Sequence, residues 1–347
     1  MSARAPLAAW GYFLLVLLGL TAPFLVYPVF AMNVLCLALF ASAFNLLLGY
    51  TGLLSFGHAA FLGAAAYVTG LAVKNLHLPV EAGILAGTAV AALLGLVFGA
   101  LAIRRSGIYF AMITLGFAQM VYFLVLQMPW TGGEDGLQGI PRSRLLGLVG
   151  LSGNLPMYYF VYGVFLAGFW LVWRTIHSPF GQVLRAIREN EPRALSLGYD
   201  VDRYKLLAFV ISAGLSGTAG SLKALVFQSA TLSDVHWHGS GAVILMTLLG
   251  GMGTPFGPSV GALLVVGLLI AINVFIGLFN LLPLLPFDGG HIAIALYERI
   301  ASTVRRRRVQ VDVAKLMPIT VAVVAILGFI FLSSLFLDIT RPIANPF

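Results

Sequence analysis

The residues that could carry catalysis or hold a metal are few and widely spaced along the chain. The six histidines lie at positions 58, 77, 177, 236, 238 and 291, and none begins the H-E-x-x-H pattern of zinc hydrolases. Glu134 and Asp135 are adjacent, but calcium needs more oxygen ligands than two carboxylates supply. His236 and His238 lie close to Asp234, without a third histidine or cysteine beside them. We therefore predict no catalytic residue and no bound metal in this chain.

Four polar side chains stand in the glycine-dense stretch 45–63, namely Asn45, Thr51, Ser55 and His58. Polar and ionisable groups inside an apolar run are functional candidates by default. One interpretation is structural, because small residues let membrane helices pack closely and hydrogen bonds can hold a buried histidine. The other is that a broken helix exposes backbone groups to a translocation path. Both interpretations stay open, and these four residues form the candidate translocation path.

Neither the glycine runs nor the basic residues indicate a nucleotide or nucleic-acid site. Residues 250–253, Gly-Gly-Met-Gly, lack the Lys-Ser/Thr pair and the strand–helix context of a phosphate loop. The net charge of +8 comes mainly from basic residues in short loops, which the positive-inside rule explains without a polyanionic partner. We therefore expect no cofactor on this chain and no nucleic acid.

The elements that must position these residues are membrane helices. Only 9% of the residues are charged and 60% are hydrophobic, and neither 5–73 nor 238–287 contains Asp, Glu, Lys or Arg. A helix needs about 20 apolar residues to cross the hydrocarbon core, so the long runs hold several spans each. The fold class is therefore an all-α, polytopic transmembrane helical bundle with about 10 or 11 spans. Cys36, the only cysteine, lies within a span and can form no intrachain disulfide.

The positions of basic residues predict the orientation of the loops. Arg104 and Arg105 should be cytoplasmic, and counting spans backward places Arg4 inside, ahead of a retained first helix. Counting forward places 127–144 outside and 174–205 inside. The segment 233–238 is then outside again.

The four arginines at 305–308 should also be inside. An odd number of crossings must therefore connect them to residue 238. Three short crossings satisfy this requirement, with turns near 251–257 and around Asn280.

The segment 174–205 concentrates ten of the 32 charged residues in an otherwise apolar chain. Ser178-Pro179 predicts a helix start, with serine as N-cap and proline at the first helical position. Residues 180, 183, 184 and 187 then form one apolar stripe, which predicts an amphipathic helix. A second short helix starts at Glu191-Pro192, and Gly198 ends it. This pair either joins two spans as a surface linker or docks a cytoplasmic protein.

Several stretches in one order carry a family resemblance. They are F-N-L-L-L-G-Y-T-G-L-L-S-F-G-H-A-A-F-L-G (44–63), I-Y-F-A-M-I-T-L-G-F-A-Q (108–119), T-G-G-E-D-G-L-Q-G-I-P (131–141), S-P-F-G-Q-V-L-R-A-I-R-E-N-E-P-R-A-L-S-L-G-Y-D-V-D-R-Y-K-L-L-A-F-V-I-S-A (178–213) and L-L-G-G-M-G-T-P-F-G-P-S-V-G-A (248–262). Over about residues 10–265 the chain resembles the LivM-type permeases of branched-chain amino-acid ABC importers. The stretches are specific together, whereas any one glycine motif is weak.

This resemblance implies a permease of the bacterial cytoplasmic (inner) membrane that works with four other subunits. They are a second permease of LivH type, two cytoplasmic ABC ATPases, which bind ATP and Mg²⁺, and an external amino-acid-binding protein. In such importers a short cytoplasmic helix couples to the ATPase. The candidate coupling residues here are Arg185, Arg188, Glu189, Glu191, Ala194 and Gly198.

The external loop after 127 is the candidate docking surface for the binding protein. Its candidate residues are Thr131, Gly132, Gly133, Glu134, Asp135 and Gly136. The loop is rich in glycine and is predicted to be flexible. We also expect the chain to contact membrane lipid.

The C-terminal part has a different resemblance. The run G-L-F-N-L-L-P-L-L-P-F-D-G-G-H-I-A-I-A-L-Y-E-R-I (277–300) resembles the site-2 intramembrane metalloproteases, whose N-x-x-P…D-G element appears as Asn280, Pro283, Asp288 and Gly289. In that family the aspartate is a zinc ligand, so Asp288 is a vestigial candidate ligand. The H-E-x-x-H half is absent from the sequence, and Asp288 with His291 cannot make a three-ligand site.

The sequence thus predicts two domains, a permease-like domain at 1–265 and a site-2 protease-like fragment at 266–347. The favoured function is that of the membrane subunit of an ATP-driven importer of branched-chain amino acids, with no enzymatic activity of its own. The alternative is an intramembrane zinc metalloprotease fragment or an inactive hybrid.

Overall fold

A computed structural model describes residues 16–340, apart from positions 18, 146, 148, 306 and 309. Arg4, at the start of the predicted first helix, lies outside the described residues. Residues 19–25 are helical, and the chain then turns at 26–27 before the next helix. The first long helix therefore begins at Pro28, where proline fits the first helical position because its missing N–H needs no partner there.

Thirteen α-helices, numbered from Pro28, build most of the described chain. They are α1 (Pro28–Thr51), α2 (His58–Lys74), α3 (Val80–Ala102), α4 (Ile108–Gln127), α5 (Asn154–Ile176), α6 (Pro179–Glu189), α7 (Glu191–Ser196), α8 (Val201–Phe227), α9 (Leu232–Val235), α10 (His238–Gly250), α11 (Gly257–Asn280), α12 (Asp288–Arg305) and α13 (Met317–Thr340). Three short 3-10 turns lie at Pro129–Thr131, Gly133–Asp135 and Val313–Leu316. The predicted all-α, polytopic bundle is confirmed.

Seven helices among the described residues are long and apolar enough to cross a membrane: α1, α3, α4, α5, α8, α11 and α13. The sequence-based count of 10 or 11 spans also included the first apolar run, α2, α10 and α12. The helices α2, with 17 residues, and α10, with 13, are apolar but shorter than a full span. The 18-residue helix α12 is amphipathic and carries Asp288, Glu298, Arg299 and Arg305. These four elements account for the difference in number.

The core of the first unit forms around α8, which packs against α1, α2 and α3. Small residues recur at every fourth position of α3, at Gly83, Gly87, Ala91, Gly95 and Gly99, and they face neighbouring helices at close range. Without a hydrophobic driving force between helices in lipid, such stripes favour association by letting backbones approach. The small residues that are frequent in the sequence therefore form the central helix–helix interface of the fold.

Polar groups buried in this interface find partners across helices. The hydroxyl of Thr69 on α2 lies 2.7 Å from Ser221 Oγ on α8 and 3.0 Å from the carbonyl of Gly83 on α3. Thr88 Oγ1 and Thr218 Oγ1 are 3.0 Å apart. Because apolar surroundings offer no water, these contacts satisfy groups that would otherwise destabilise the bundle.

The loop between α4 and α5 is tied to the end of α8. The strand β1 (Leu137–Gln138) lies ahead of the hairpin of β2 (Arg144–Leu145) and β3 (Val149–Gly150), and β1 pairs antiparallel with β4 (Ser229–Ala230). The Arg142 guanidinium donates to the carbonyls of Leu225 and Val226, which are at the C-terminal end of α8. A cation at this end of a helix also complements the helix dipole. The loop and the 229–235 segment therefore lie on one side of the bundle, as the topology predicts.

The chain divides into two compact units, Met1–Val266 and Gly267–Phe347, and the division falls within α11. Breaks at 251–256 and 281–287 confirm the turns predicted near 251–257 and around Asn280. In the second unit, α12 is followed by the 3-10 turn and then by α13. The assignment of 1–265 and 266–347 to two families rests on the resemblances.

Candidate functional site

The charged segment 174–205 forms the two predicted helices, α6 and α7. Ser178 Oγ accepts a hydrogen bond from the N–H of Gly181 at 3.3 Å, which makes it the N-cap of α6. Asn190 Oδ1 caps α7 in the same way by accepting from Arg193 N at 3.0 Å. Gly198, with φ of +86°, follows the last turn in a left-handed conformation that suits glycine. The helix starts at 178–179 and 191–192 and the helix end at Gly198, all predicted from the sequence, are confirmed.

Two arginines of α6 hold this helix against the end of α1. Arg188 Nη1 donates to the carbonyl of Gly49, and the Arg185 guanidinium lies 5.1 Å from the centroid of the Tyr50 ring. Both cations approach the C-terminal end of α1, where the helix dipole favours positive charge. Leu184 and Ile187, from the predicted apolar stripe, are buried on the same helix. The amphipathic helix is therefore docked on the bundle rather than suspended in a loop.

An ion pair fixes α7 to the start of α8. Lys205 Nζ donates to Glu191 Oε1 at 2.6 Å, and the lysine side chain is only 3% exposed while that of the glutamate is 40% exposed. Ala194 is buried in a small apolar cluster with Ile187 and Val201. Glu191 and Ala194, two of the predicted coupling residues, thus contact this chain itself, whereas Glu189 is exposed.

The outer surface of this helix pair carries apolar residues that the sequence reading did not select. Leu195 and Leu197 are 56% and 67% exposed, and Tyr199 is also exposed. Exposed apolar residues beside charged ones are typical of surfaces that bind another protein. The signal that could have found them is the recurrence of apolar residues at 195, 197 and 199 within a charged segment.

Of the candidate path residues, Asn45 binds the turn between α10 and α11. Its Nδ2 donates to the carbonyl of Thr254 at 2.9 Å, and its Oδ1 accepts from the N–H of Gly253 at 2.9 Å. The side chain is buried, so both ends of the amide are occupied by backbone groups. The structure therefore gives Asn45 a positioning contact with a turn 208 residues away in sequence.

Thr51 and Ser55 lie at the break between α1 and α2. Gly52, with φ of +74°, ends α1, and Thr51 Oγ1 donates back to the carbonyl of Leu47. Ser55 Oγ accepts from the N–H of Gly57 at 3.2 Å, next to the first residue of α2. Both side chains are buried. The chain leaves helical geometry between α1 and α2, and polar side chains at this break satisfy part of its backbone.

His58 is buried in an aromatic surround. Its Nε2 lies 2.9 Å from Ser212 Oγ, which in turn donates to the carbonyl of Ala43 at 2.6 Å. The rings of Phe44, Phe61 and Phe209 stand edge-on to the imidazole. His58 thus joins α2 to α8 and α1, while Asn45 joins α1 to a turn. The four candidate path residues do not converge on one pocket, and their role in a path stays a prediction.

A separate apolar cavity of about 570 Å³ lies within the first unit. It is lined by residues from 19–38, from α5 and from the start of α11, including Tyr158, Tyr162 and Phe256. None of the four candidate path residues lines it. The cavity wall is almost wholly apolar, so it suits hydrocarbon better than a charged or zwitterionic ligand.

The predicted docking loop is anchored at its base and exposed at its acidic tip. Thr131 Oγ1 donates to the carbonyls of Val125 and Met128 at the end of α4, and Thr131 itself is buried. Gly132, Gly133 and Gly136 all have positive φ, which accounts for the glycines. Glu134 and Asp135 remain exposed on a 3-10 turn between them.

Two histidines stack at the start of α10. His236 Nδ1 and His238 Nδ1 are 2.7 Å apart, and burial, followed by the charge of His238, lowers the pKa of His236. Asp234 is not free to join them, because its carboxylate binds Lys223 and caps α9 through Thr231. In the described part of the chain, no three His, Cys, Asp or Glu side chains group as metal ligands, and this includes the surroundings of Asp288.

Comparison with known proteins recovers both resemblances. LivM of Escherichia coli, a high-affinity branched-chain amino acid transport system permease protein, is 30% identical over 245 residues, which cover 64% of this chain and 58% of LivM. LsrC of Klebsiella pneumoniae, an autoinducer 2 import system permease protein, is 33% identical over half of each chain. The zinc metalloprotease Rip1 of Mycobacterium tuberculosis is 43% identical over 84 residues, or 22% of this chain and 20% of Rip1. No solved structure matches.

The chain spans little more than half the length of the permeases it matches. Residues 29–287 match the family model described as branched-chain amino acid transport system / permease component. That range is well over half of the 347 residues and includes α1 to α11 with the docked α6–α7 pair. The chain therefore belongs to the family of permease components of branched-chain amino acid transport systems.

Proposed function

We propose that this chain is the membrane-spanning permease subunit of an ATP-driven ABC importer of branched-chain amino acids. The proposed assembly adds a second permease of LivH type, two ATPases and an external amino-acid-binding protein. Its place is the bacterial cytoplasmic membrane, with α6 and α7 on the cytoplasmic side. The family match and the seven span-like helices support this proposal.

The observation that carries the proposal is the docked helix pair. Arg185 and Arg188 fix α6 to α1, and the Glu191–Lys205 pair fixes α7 to α8, while Leu195 and Leu197 stay exposed. A rigidly attached element with exposed apolar residues can transmit a partner's movement to the spans. A flexible linker would absorb that movement instead.

The proposed substrates are leucine, isoleucine and valine. LivM, a branched-chain amino acid transport system permease protein, matches a larger share of this chain than LsrC does. The test is ATP-dependent uptake of radiolabelled leucine by the purified complex in liposomes. We expect excess isoleucine or valine to compete with leucine and autoinducer 2 to leave its uptake unchanged. Competition by autoinducer 2 alone would contradict the proposed substrate class.

The similarity to Rip1 raises proteolysis as a second candidate function. It covers 22% of this chain and 20% of Rip1, and the sequence contains no H-E-x-x-H pattern. We propose that the C-terminal unit does not hydrolyse peptides, because Asp288 would supply one zinc ligand where at least three are needed. Zinc content of the purified protein separates this proposal from the protease alternative.

A further inference from the structure

The turn at 251–256 separates two apolar helices. The helix α10 has only 13 residues and ends at Gly250, and α11 starts at Gly257. Gly251 and Gly253 have φ of +106° and +79°, so the backbone leaves helical geometry twice within three residues. Backbone N–H and C=O groups outside a regular helix need partners from protein or water. The position of this turn therefore depends on what binds it.

Asn45 supplies two of those partners. Its amide donates to the carbonyl of Thr254 and accepts from the N–H of Gly253, each at 2.9 Å. Both hydrogen bonds need an amide, because a carboxylate or a hydroxyl cannot reproduce a donor and an acceptor at these two ends. The turn is thus clasped to one face of α1.

Arg188 reaches the same place from the cytoplasmic helix. Its Nη1 donates to the carbonyl of Gly49, and Gly49 lies one helical turn after Asn45 on the same face of α1. A Cβ added at Gly253 would stand 3.1 Å from Arg188 Nη1 and 3.2 Å from the Gly49 carbonyl oxygen. A Cβ at Gly49 would stand 2.7 Å from Gly253 N. The end of α1, the turn and the arginine of α6 therefore meet at close range.

We infer that Arg188 and Asn45 are positioning residues that connect the cytoplasmic helix α6 to the turn 251–256 between α10 and α11. When α6 moves with its partner, Arg188 moves the end of α1, and Asn45 moves the turn with it. ATP-driven movement then reaches this turn and, through it, the adjoining helices α10 and α11. This inference rests on the proposed importer function and adds to it the residues that transmit the movement.

The test is the amount of leucine imported per ATP hydrolysed by the purified complex in liposomes. The variants are Arg188→Ala, Arg188→Lys, Asn45→Ala and the double Arg188→Ala/Asn45→Ala. Arg104→Ala is the matched control, because it removes an exposed arginine from another loop on the predicted cytoplasmic side. The amount of ATPase that co-purifies with each variant is measured in parallel.

We expect Arg188→Ala and Asn45→Ala each to lower leucine imported per ATP about tenfold, with the bound ATPase unchanged. The double variant should import no less leucine per ATP than the more impaired of the two single variants, because the effects of substitutions within one network are not additive. Arg188→Lys should recover part of the loss. Because Arg188 is exposed, its two variants carry the test even if Asn45→Ala does not fold.

If Arg188→Ala imports as much leucine per ATP hydrolysed as Arg104→Ala does, the inference is overturned. Loss of the ATPase from Arg188→Ala would also overturn it, because Arg188 would then be a docking contact instead of a positioning residue. If the unaltered chain binds no ATPase, the proposed function fails and the inference falls with it.

Discussion

At the scale of single residues, the bundle depends on positions where no side chain fits. A Cβ at Gly220 of α8 would collide with the backbone carbonyl of Leu62 on α2, and one at Gly63 would meet the backbone of Val235. Backbone atoms cannot move aside as the end of a flexible side chain can. These glycines are therefore required for close approach, which is the structural interpretation of the glycine-dense sequence.

Gly220→Ala should lower the stability of the purified protein. Overpacking against a backbone carbonyl costs about 1–3 kcal/mol or more, because α2 and α8 must move apart. The matched control is Gly214→Ala in the same helix, whose Cβ would stand 3.6 Å from Ala92 in ordinary contact. We expect a lower thermal midpoint in detergent for Gly220→Ala and an equal or higher one for Gly214→Ala. Equal midpoints for Gly220→Ala and the unaltered protein would contradict this packing.

At the scale of elements, the α7–α8 junction depends on one buried charge. Lys205 is almost fully buried, and Glu191 is its ion-pair partner. The ion pair Asp200–Arg203 in the same segment differs, because its side chains are 51% and 82% exposed. A buried and an exposed ion pair of similar length therefore lie within the same fifteen residues. Only the buried pair should determine the position of α7 against α8.

Glu191→Gln should destabilise the protein by about 1–3 kcal/mol, since it leaves the Lys205 ammonium buried without its counter-charge. The figure lies below the about 3–5 kcal/mol typical of fully buried pairs because Glu191 is partly exposed. Asp200→Asn is the control, as it retains the N-cap of α8 and should change stability by less than about 0.5 kcal/mol. Chemical denaturation of both variants measures the difference. Similar small losses in both would show that Lys205 is adequately solvated.

Local sequence signals predicted where these helices begin and end, but they did not predict which residues the helices contact. Ser178, Pro179 and Gly198 act within one or two helical turns, so the sequence could place both short helices. The partner of Asn45 lies 208 residues away, and the partner of Arg188 lies 139 residues away. Such pairs depend on how the spans assemble, which periodicity does not encode. The sequence therefore selected Asn45, but it could not distinguish a positioning contact from a path lining.

At the scale of the whole molecule, the chain divides into two compact units and is similar to two kinds of protein. The permease family model covers 29–287, and the Rip1 similarity covers about a fifth of the chain. The resemblance predicted the permease part to about 265, so the family match extends farther along the chain. Composition alone predicted the membrane class, because long uncharged runs need no tertiary information to be recognised.

The purified protein should carry far less than one zinc per chain. Asp288 has no grouped ligands in the part of the chain that the structure describes, and one carboxylate binds zinc weakly. Elemental analysis of the protein and of Asp288→Ala checks this expectation, and both should give the same background. One zinc per chain that disappears in Asp288→Ala would support the protease alternative.

The central claim is that the α6–α7 pair couples this permease to an ATPase, and co-purification tests it most directly. The measurement is the amount of ABC ATPase recovered per chain, with residues 185–198 either intact or replaced by a neutral linker of equal length. Val149→Glu, on the predicted external hairpin, is the control because Val149 is also an exposed apolar residue. We expect ATPase with the intact chain and with Val149→Glu, and at least tenfold less with the linker. Equal recovery from the linker variant would contradict the account.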